Sequence, residues 1–201
     1  MKVDKVINNN LVRSYREGRE VLVMGKGLGF KKQRGDEIDE NLVERIYAVE
    51  GKDRRNKLEA LLGNIPYSYL QTTNEIVNYA KNSLGKPLSD NIYLTLTDHI
   101  SFAIERAGKG IRLKNALLWD IRRLYNHEYL IGKEALTIIR RRLGVELEED
   151  EAGFIALHIV NAQLDSGGME ETMEMTKMIQ NILEIVKYHF CMELDESSIH
   201  Y

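Results

Sequence analysis

Two periodicities divide the chain. Up to about residue 50, apolar and polar side chains alternate in short runs, the pattern of half-buried strands. Lys2 to Ile7 is the first run, and Leu11-Val12-Arg13-Ser14-Tyr15 and Glu20-Val21-Leu22-Val23-Met24 flank Arg16-Glu17-Gly18-Arg19. A glycine there supplies the positive φ of a short hairpin. Gly35-Asp36 punctuates the chain, and Leu42 to Tyr47 makes a fourth predicted strand. A sheet of this size buries little surface, so dimerisation through one face is the expected remedy.

After about residue 57 the spacing becomes helical. Thr72 or Thr73 is the predicted cap of a helix that aligns Ile76, Val77, Ala80 and Leu84, with Gly85 and Pro87 as its stop. The next helix begins near Ser89-Asp90, places Ile92, Leu96, His99 and Ala103 on one face, and ends at Gly108. Further helices are predicted at about 113–126, 130–143, 150–164 and 171–190. Asp150 or Glu149 caps the 150–164 helix, where Ile155, His158 and Ala162 share a face. Two histidines, His99 and His158, therefore lie on apolar faces of different helices. Glu75-Ile76-Val77-Asn78-Tyr79 recurs with one mismatch as Glu184-Ile185-Val186-Lys187-Tyr188, each piece on a helix that opens a domain. The counterpart of His99 would fall past the last residue, so the chain is expected to end in the opening of a second helical domain.

Charge changes this picture. The net charge is −3, yet residues 1–34 hold nine basic against three acidic side chains, a balance of +6 that leaves −9 for the remainder. A basic segment joined to an acidic body suits one part that meets phosphates and another that meets proteins. With 43% hydrophobic and 29% charged residues, the composition is that of folded globular material. The charged N-terminus lacks the core of a signal peptide, and no run approaches the roughly 18 apolar residues of a membrane span, so a cytoplasmic location without membrane insertion is expected. The lone Cys191 has no intramolecular partner.

The densest chemistry lies in Met24-Gly25-Lys26-Gly27-Leu28-Gly29-Phe30-Lys31-Lys32. Glycines at every second position let backbone amides approach a phosphate or base edge, the lysines add charge, and Phe30 offers a face on which an unpaired base stacks. A glycine-rich bulge around a core phenylalanine is the competing reading. A dinucleotide fingerprint fails, because G-x-G-x-G lacks its spacing and no helix follows. Asn8-Asn9-Asn10 reads either as a polar turn or as amides that recognise base edges. A metal site at His99, His158 and Asp98 lacks further ligands, so no metal or cofactor is expected. Arg122-Arg123 and Arg140-Arg141-Arg142 read as solvated helix faces rather than a DNA-binding motif, although a DNA-binding regulator is the alternative function. No nucleophile and base arrangement marks an enzyme.

Four segments then carry a resemblance. Val6-Ile7-Asn8-Asn9-Asn10, the Met24 to Phe30 run, Leu96-Thr97-Asp98-His99-Ile100 and Asp150-Glu151-Ala152-Gly153-Phe154-Ile155-Ala156-Leu157-His158-Ile159 closely resemble the BglG/SacY family of transcription antiterminators, of the LicT type. The resemblance runs in order over nearly all 201 residues. It implies an α+β protein of two domains: a small antiparallel β-sheet RNA-binding domain over residues 1–56, then an all-α helical bundle over 57–168, a regulation domain of the sugar phosphotransferase system. Residues 169–201 would open a second regulation domain. Implied partners are a hairpin in a leader transcript, a second copy of the chain, and a sugar permease and phosphocarrier protein of the phosphotransferase system. Implied RNA contacts are Lys5, Asn10, Gly25, Lys26, Gly27 and Phe30, with Lys31 and Lys32 added on charge. Lys26 departs from relatives with arginine there. The implied phosphoacceptors are His99 and His158, whereas His127, His189 and His200 match none.

Overall fold

The computed structural model describes residues 1–48, 52–164 and 169–190. They form two compact units, Met1–Tyr67 and Ser68–Tyr201.

The first unit is an antiparallel sheet of four strands in sequential order: β1 (Val3–Asn8), β2 (Leu11–Arg16), β3 (Arg19–Met24) and β4 (Arg45–Ala48). Glu17 and Gly18, with φ of 52° and 76°, make the two-residue turn that sets the β2–β3 register from Arg16↔Arg19 to Leu11↔Met24. Alternation then gives the sheet two faces. Val12, Val21 and Val23 join Val3, Leu28 and Ile38 in one core, while Leu11, Leu22, Met24 and Tyr47 are buried on the other side. Helix α1 (Lys52–Asn64) belongs to this unit; Asn8 Nδ2 donates to the Gly63 carbonyl at 3.4 Å, and Glu59 meets Lys5 and Arg13.

Two boundaries differ from the sequence reading. The fourth strand begins at Arg45 rather than Leu42, because Asp39 accepts from the Asn41 amide at 3.0 Å and winds Glu40–Leu42 into a single 3-10 turn. Helix formation begins at Lys52, earlier than residue 57. Ile65-Pro66 then separates α1 from α2 (Tyr67–Leu84), since proline disfavours helical backbone at the residue before it. Thr72 and Thr73 do not cap α2. Both are buried inside it, and the Thr72 hydroxyl donates to the Ser68 carbonyl at 2.8 Å.

Among the described residues the elements of the second unit are all helices: α2, α3 (Ile92–Gly108), α4 (Leu118–Leu124), α5 (Asn126–Leu143), α6 (Glu149–Leu164) and α7 (Met169–Phe190). The expected 113–126 helix is shorter because Tyr125, at φ −127° and ψ 48°, breaks it and starts α5. Helix α6 lies at the centre. It packs on α3, α4, α5 and α7, with Ala152, Ala156 and Leu157 in one cluster with Leu117, Ile121 and Tyr129. A Cβ on Gly132 would come within 2.2 Å of the Ala152 carbonyl oxygen, so glycine allows α5 to reach the α6 backbone. The basic runs lie largely on solvated helix faces, where Arg141 and Arg142 both pair with Glu75 of α2 and Arg123 lies over the Trp119 ring. No helix among the described residues is long and apolar enough to cross a membrane.

Candidate functional site

In the first unit the glycine loop closes onto the β1–β2 turn. Three alternate amides are captured there: Gly25 N–H donates to the Asn10 carbonyl at 2.9 Å, Gly27 N–H to Asn10 Oδ1 at 2.8 Å, and Gly29 N–H to the Asn9 carbonyl at 2.9 Å. The G-x-G-x-G spacing is thereby explained. A Cβ on Gly25 would lie 1.7 Å from the Leu42 carbonyl oxygen and one on Gly29 2.3 Å from that of Asn8, while Gly27 has φ of 72°. Each glycine meets a steric demand of the loop, and its amide is spent within the protein.

The residues between them divide by direction. Leu28 enters the core, whereas Phe30 is 57% exposed and Lys26 is exposed beside it in sequence. Lys31, with φ of 56°, turns back so that its Nζ lies 5.3 Å from the Phe30 ring centroid. An aromatic face with a cation over it is thus presented by a backbone pinned at three amides. Asn10, Gly25, Lys26, Gly27, Phe30 and Lys31 come together in this way. Lys5 is instead ion-paired with Glu59, and Lys32 Nζ donates to the Glu37 carbonyl at 2.9 Å.

In the second unit, α3 and α6 bring His99 and His158 together, with ring centroids 5.0 Å apart and Phe154 5.8 Å from His99. Sequence reasoning assigned no role to the two charged residues that complete the cluster. Glu151 Oε2 lies 2.9 Å from His99 Nε2, and Glu151 Oε1 accepts from Arg106 Nη2 at 2.9 Å. The His99–Glu151 pair is close but not aligned as a hydrogen bond, and both Nε2 and Oε2 are buried. The signal was present in the spacing: Arg106 follows His99 by two helical turns on α3, and Glu151 precedes His158 by two turns on α6.

Burial raises the carboxyl of Glu151, but His99 and Arg106 outweigh it and hold the group below the usual carboxylate range. Burial, then the neighbouring His99, pushes His158 down to about 3, so its ring is neutral at pH 7. The N-terminus of α6 is tied down beside this cluster, where Asp150 Oδ1 accepts from the Asn115 amide at 2.7 Å and Lys114 lies 3.2 Å from Oδ2. The site therefore holds two close imidazoles, one against an ionised carboxylate and one buried beside it. Such rings are nucleophiles toward an electrophilic group delivered from outside. His127 is exposed and meets Ser83, whereas His200 lies outside the described residues.

A small basic sheet unit with a pinned aromatic loop, and a helical unit with paired histidines, define the class: a nucleic-acid-binding domain joined to a regulatory helical domain. Residues 1–56 match the CAT RNA binding domain family and residues 74–162 the PRD domain family. The transcription antiterminator LicT of Bacillus subtilis (strain 168) is 52% identical over 202 residues, covering 100% of this chain and 73% of its own. The beta-glucoside operon antiterminator of Dickeya chrysanthemi is 46% identical over 202 residues, covering 100% and 71%. The crystal structure of GlcT CAT-PRDI superposes with a TM-score of 0.69 at 34% identity, covering 81% of this chain and 97% of the other. The chain belongs to this family of transcription antiterminators.

Proposed function

We propose that the chain binds an RNA hairpin in a leader transcript, prevents an overlapping terminator from forming, and so switches on a sugar-utilisation operon. The observation that supports this most is the exposed Phe30 ring with Lys31 over it, on a loop whose amides are fixed by Asn9 and Asn10. Phe30 stacks on an unpaired base, Lys26 and Lys31 face phosphates, and Gly25 and Gly27 let the loop close. Asn10 spends its Oδ1 on Gly27, which leaves its amide NH₂ for the RNA. Lys5 and Lys32 contribute charge once their own partners are exchanged for phosphate. The protein works as a homodimer in the cytoplasm, with no cofactor, no membrane insertion and no catalysis of its own.

Residues 1–56 are the RNA-binding domain, 57–168 the first regulation domain, and 169–201 the opening of a second. The repeat supports the last assignment. Ile76 of α2 is fully buried, whereas its counterpart Ile185 on α7 is 66% exposed, as a face without its own bundle would be. His99 and His158 accept phosphate from a sugar permease or the phosphocarrier protein of the phosphotransferase system. An added phosphate brings negative charge beside Glu151 and loosens the helical unit. Titration of the chain with a bulged hairpin and with a fully paired duplex tests the reading. Preference for the bulged RNA, lost in Phe30→Ala, is expected; equal affinity for both would refute it.

A further inference from the structure

We propose that the two histidines take the phosphoryl group on different ring nitrogens, His99 on Nδ1 and His158 on Nε2. The assignment rests on the reading of both as phosphoacceptors. It follows from access and from where each ring keeps its proton.

A ring nitrogen attacks phosphorus through its lone pair, so it must be both deprotonated and reachable. His99 Nε2 is buried and lies 2.9 Å from Glu151 Oε2. Arg106 holds the other oxygen of that carboxylate at 2.9 Å, which keeps Glu151 ionised and draws the imidazole proton to Nε2. The lone pair of His99 is then on Nδ1. His158 is the reverse case. Its Nδ1 is buried without a hydrogen-bond partner, so a donor reaches the ring only through Nε2. Two histidines whose rings are 5.0 Å apart thus turn opposite nitrogens to the incoming group.

The chemistry balances without a further reactant. The donor is a phosphorylated nitrogen compound or protein residue; its bond to phosphorus breaks with the electron pair leaving on the donor, as the bond from the histidine nitrogen forms. On His99 the Nε2 proton remains, and the positively charged phosphoimidazole is paired with Glu151. On His158 the proton remains on Nδ1, where no acceptor is present. A charged ring is already disfavoured there by burial, which holds His158 down to about 3. Glu151 acts on this reaction as a positioning residue.

The test uses the full chain with His127, His189 and His200 changed to Asn, so that of its five histidines only 99 and 158 remain. Potassium phosphoramidate serves as donor, and phosphorus NMR separates the two phosphohistidine isomers. Both isomers are expected. Adding His99→Asn should leave only Nε2-phosphohistidine, and His158→Asn only the Nδ1 isomer. Glu151→Ala in the His158→Asn background should convert the single isomer at position 99 into a mixture, with folding checked by thermal melting. An Nε2 isomer at position 99 or an Nδ1 isomer at 158 overturns the assignment while both remain phosphoacceptors. An unchanged single isomer in Glu151→Ala removes Glu151 from it. Absence of phosphohistidine at both positions overturns the acceptor reading and this assignment together.

Discussion

At the residue scale, His158 shows how burial becomes a pH dependence. Its unfolded value is 6.5 and its folded value about 3, so between these the unfolded chain binds the extra proton and stability rises with pH. The contribution is complete above pH 6.5 and is lost as pH falls toward 3. Glu151 acts in a lower window, because its depressed carboxyl adds stability above the ordinary carboxylate range and loses it only on further acidification. Urea unfolding of the helical unit should therefore show a loss between pH 7.5 and pH 5 that is smaller in His158→Gln. An equal loss in both proteins would mean that His158 is solvated or charged in the fold. Phe30 is the other informative residue: Phe30→Ala should cost roughly 1–3 kcal/mol of RNA affinity while leaving the fold unchanged, since the ring is exposed. Wild-type affinity in that variant would remove the ring from the interface. Asn10 marks where residue-level reading stopped short. An amide in a turn reads equally well as a base contact, and only the fold shows its oxygen holding the Gly27 amide.

Among the elements, those with a strong period were the most legible. The β2–β3 hairpin followed from alternation and Gly18, and α3 from its apolar stripe, whereas α6 is apolar on nearly every side and was legible from its apolar composition. Helix α1, rich in charged residues, was less so, because the burial of its Leu58 and Leu62 depends on tertiary packing that its weak periodicity does not announce. The contact of His99 with Glu151 joins two helices through tertiary packing, which spacing on each helix hinted at without specifying a partner. Close backbone approaches were equally silent, and they give firm expectations. Gly25→Ala sets a Cβ 1.7 Å from the Leu42 carbonyl oxygen, and Gly132→Ala one 2.2 Å from that of Ala152. Each should cost at least ~2 kcal/mol, confined to its own unit, as read by denaturant unfolding. Near-neutral values would mean that these backbones separate freely. Helix α7 is the remaining case. The repeat implies that it adds little to the preceding domain, yet Met173 packs on the α4–α6 cluster and Thr176 is fully buried. Truncation after Leu164 should thus lower stability by about 1–2 kcal/mol, more than nothing but short of unfolding. Loss of the folded helical unit would make α7 integral to it.

For the whole molecule, the two units divide the labour that their charges suggested. The basic sheet unit carries an aromatic and cationic loop, and the acidic helical unit carries the pair of imidazoles to which, as proposed, each phosphoryl group brings negative charge. If Lys26 and Lys31 neutralise phosphates as proposed, RNA affinity should fall steeply with salt. Regulation is the central claim, and one comparison tests it most directly: the affinity of the full chain for a bulged RNA hairpin before and after phosphorylation of His99 and His158. The account expects weaker binding by the phosphorylated protein, a similar fall in a His99→Asp, His158→Asp variant, and unchanged binding when both are alanine. Equal affinity of the phosphorylated and unmodified proteins, with phosphate confirmed on both histidines, would contradict it.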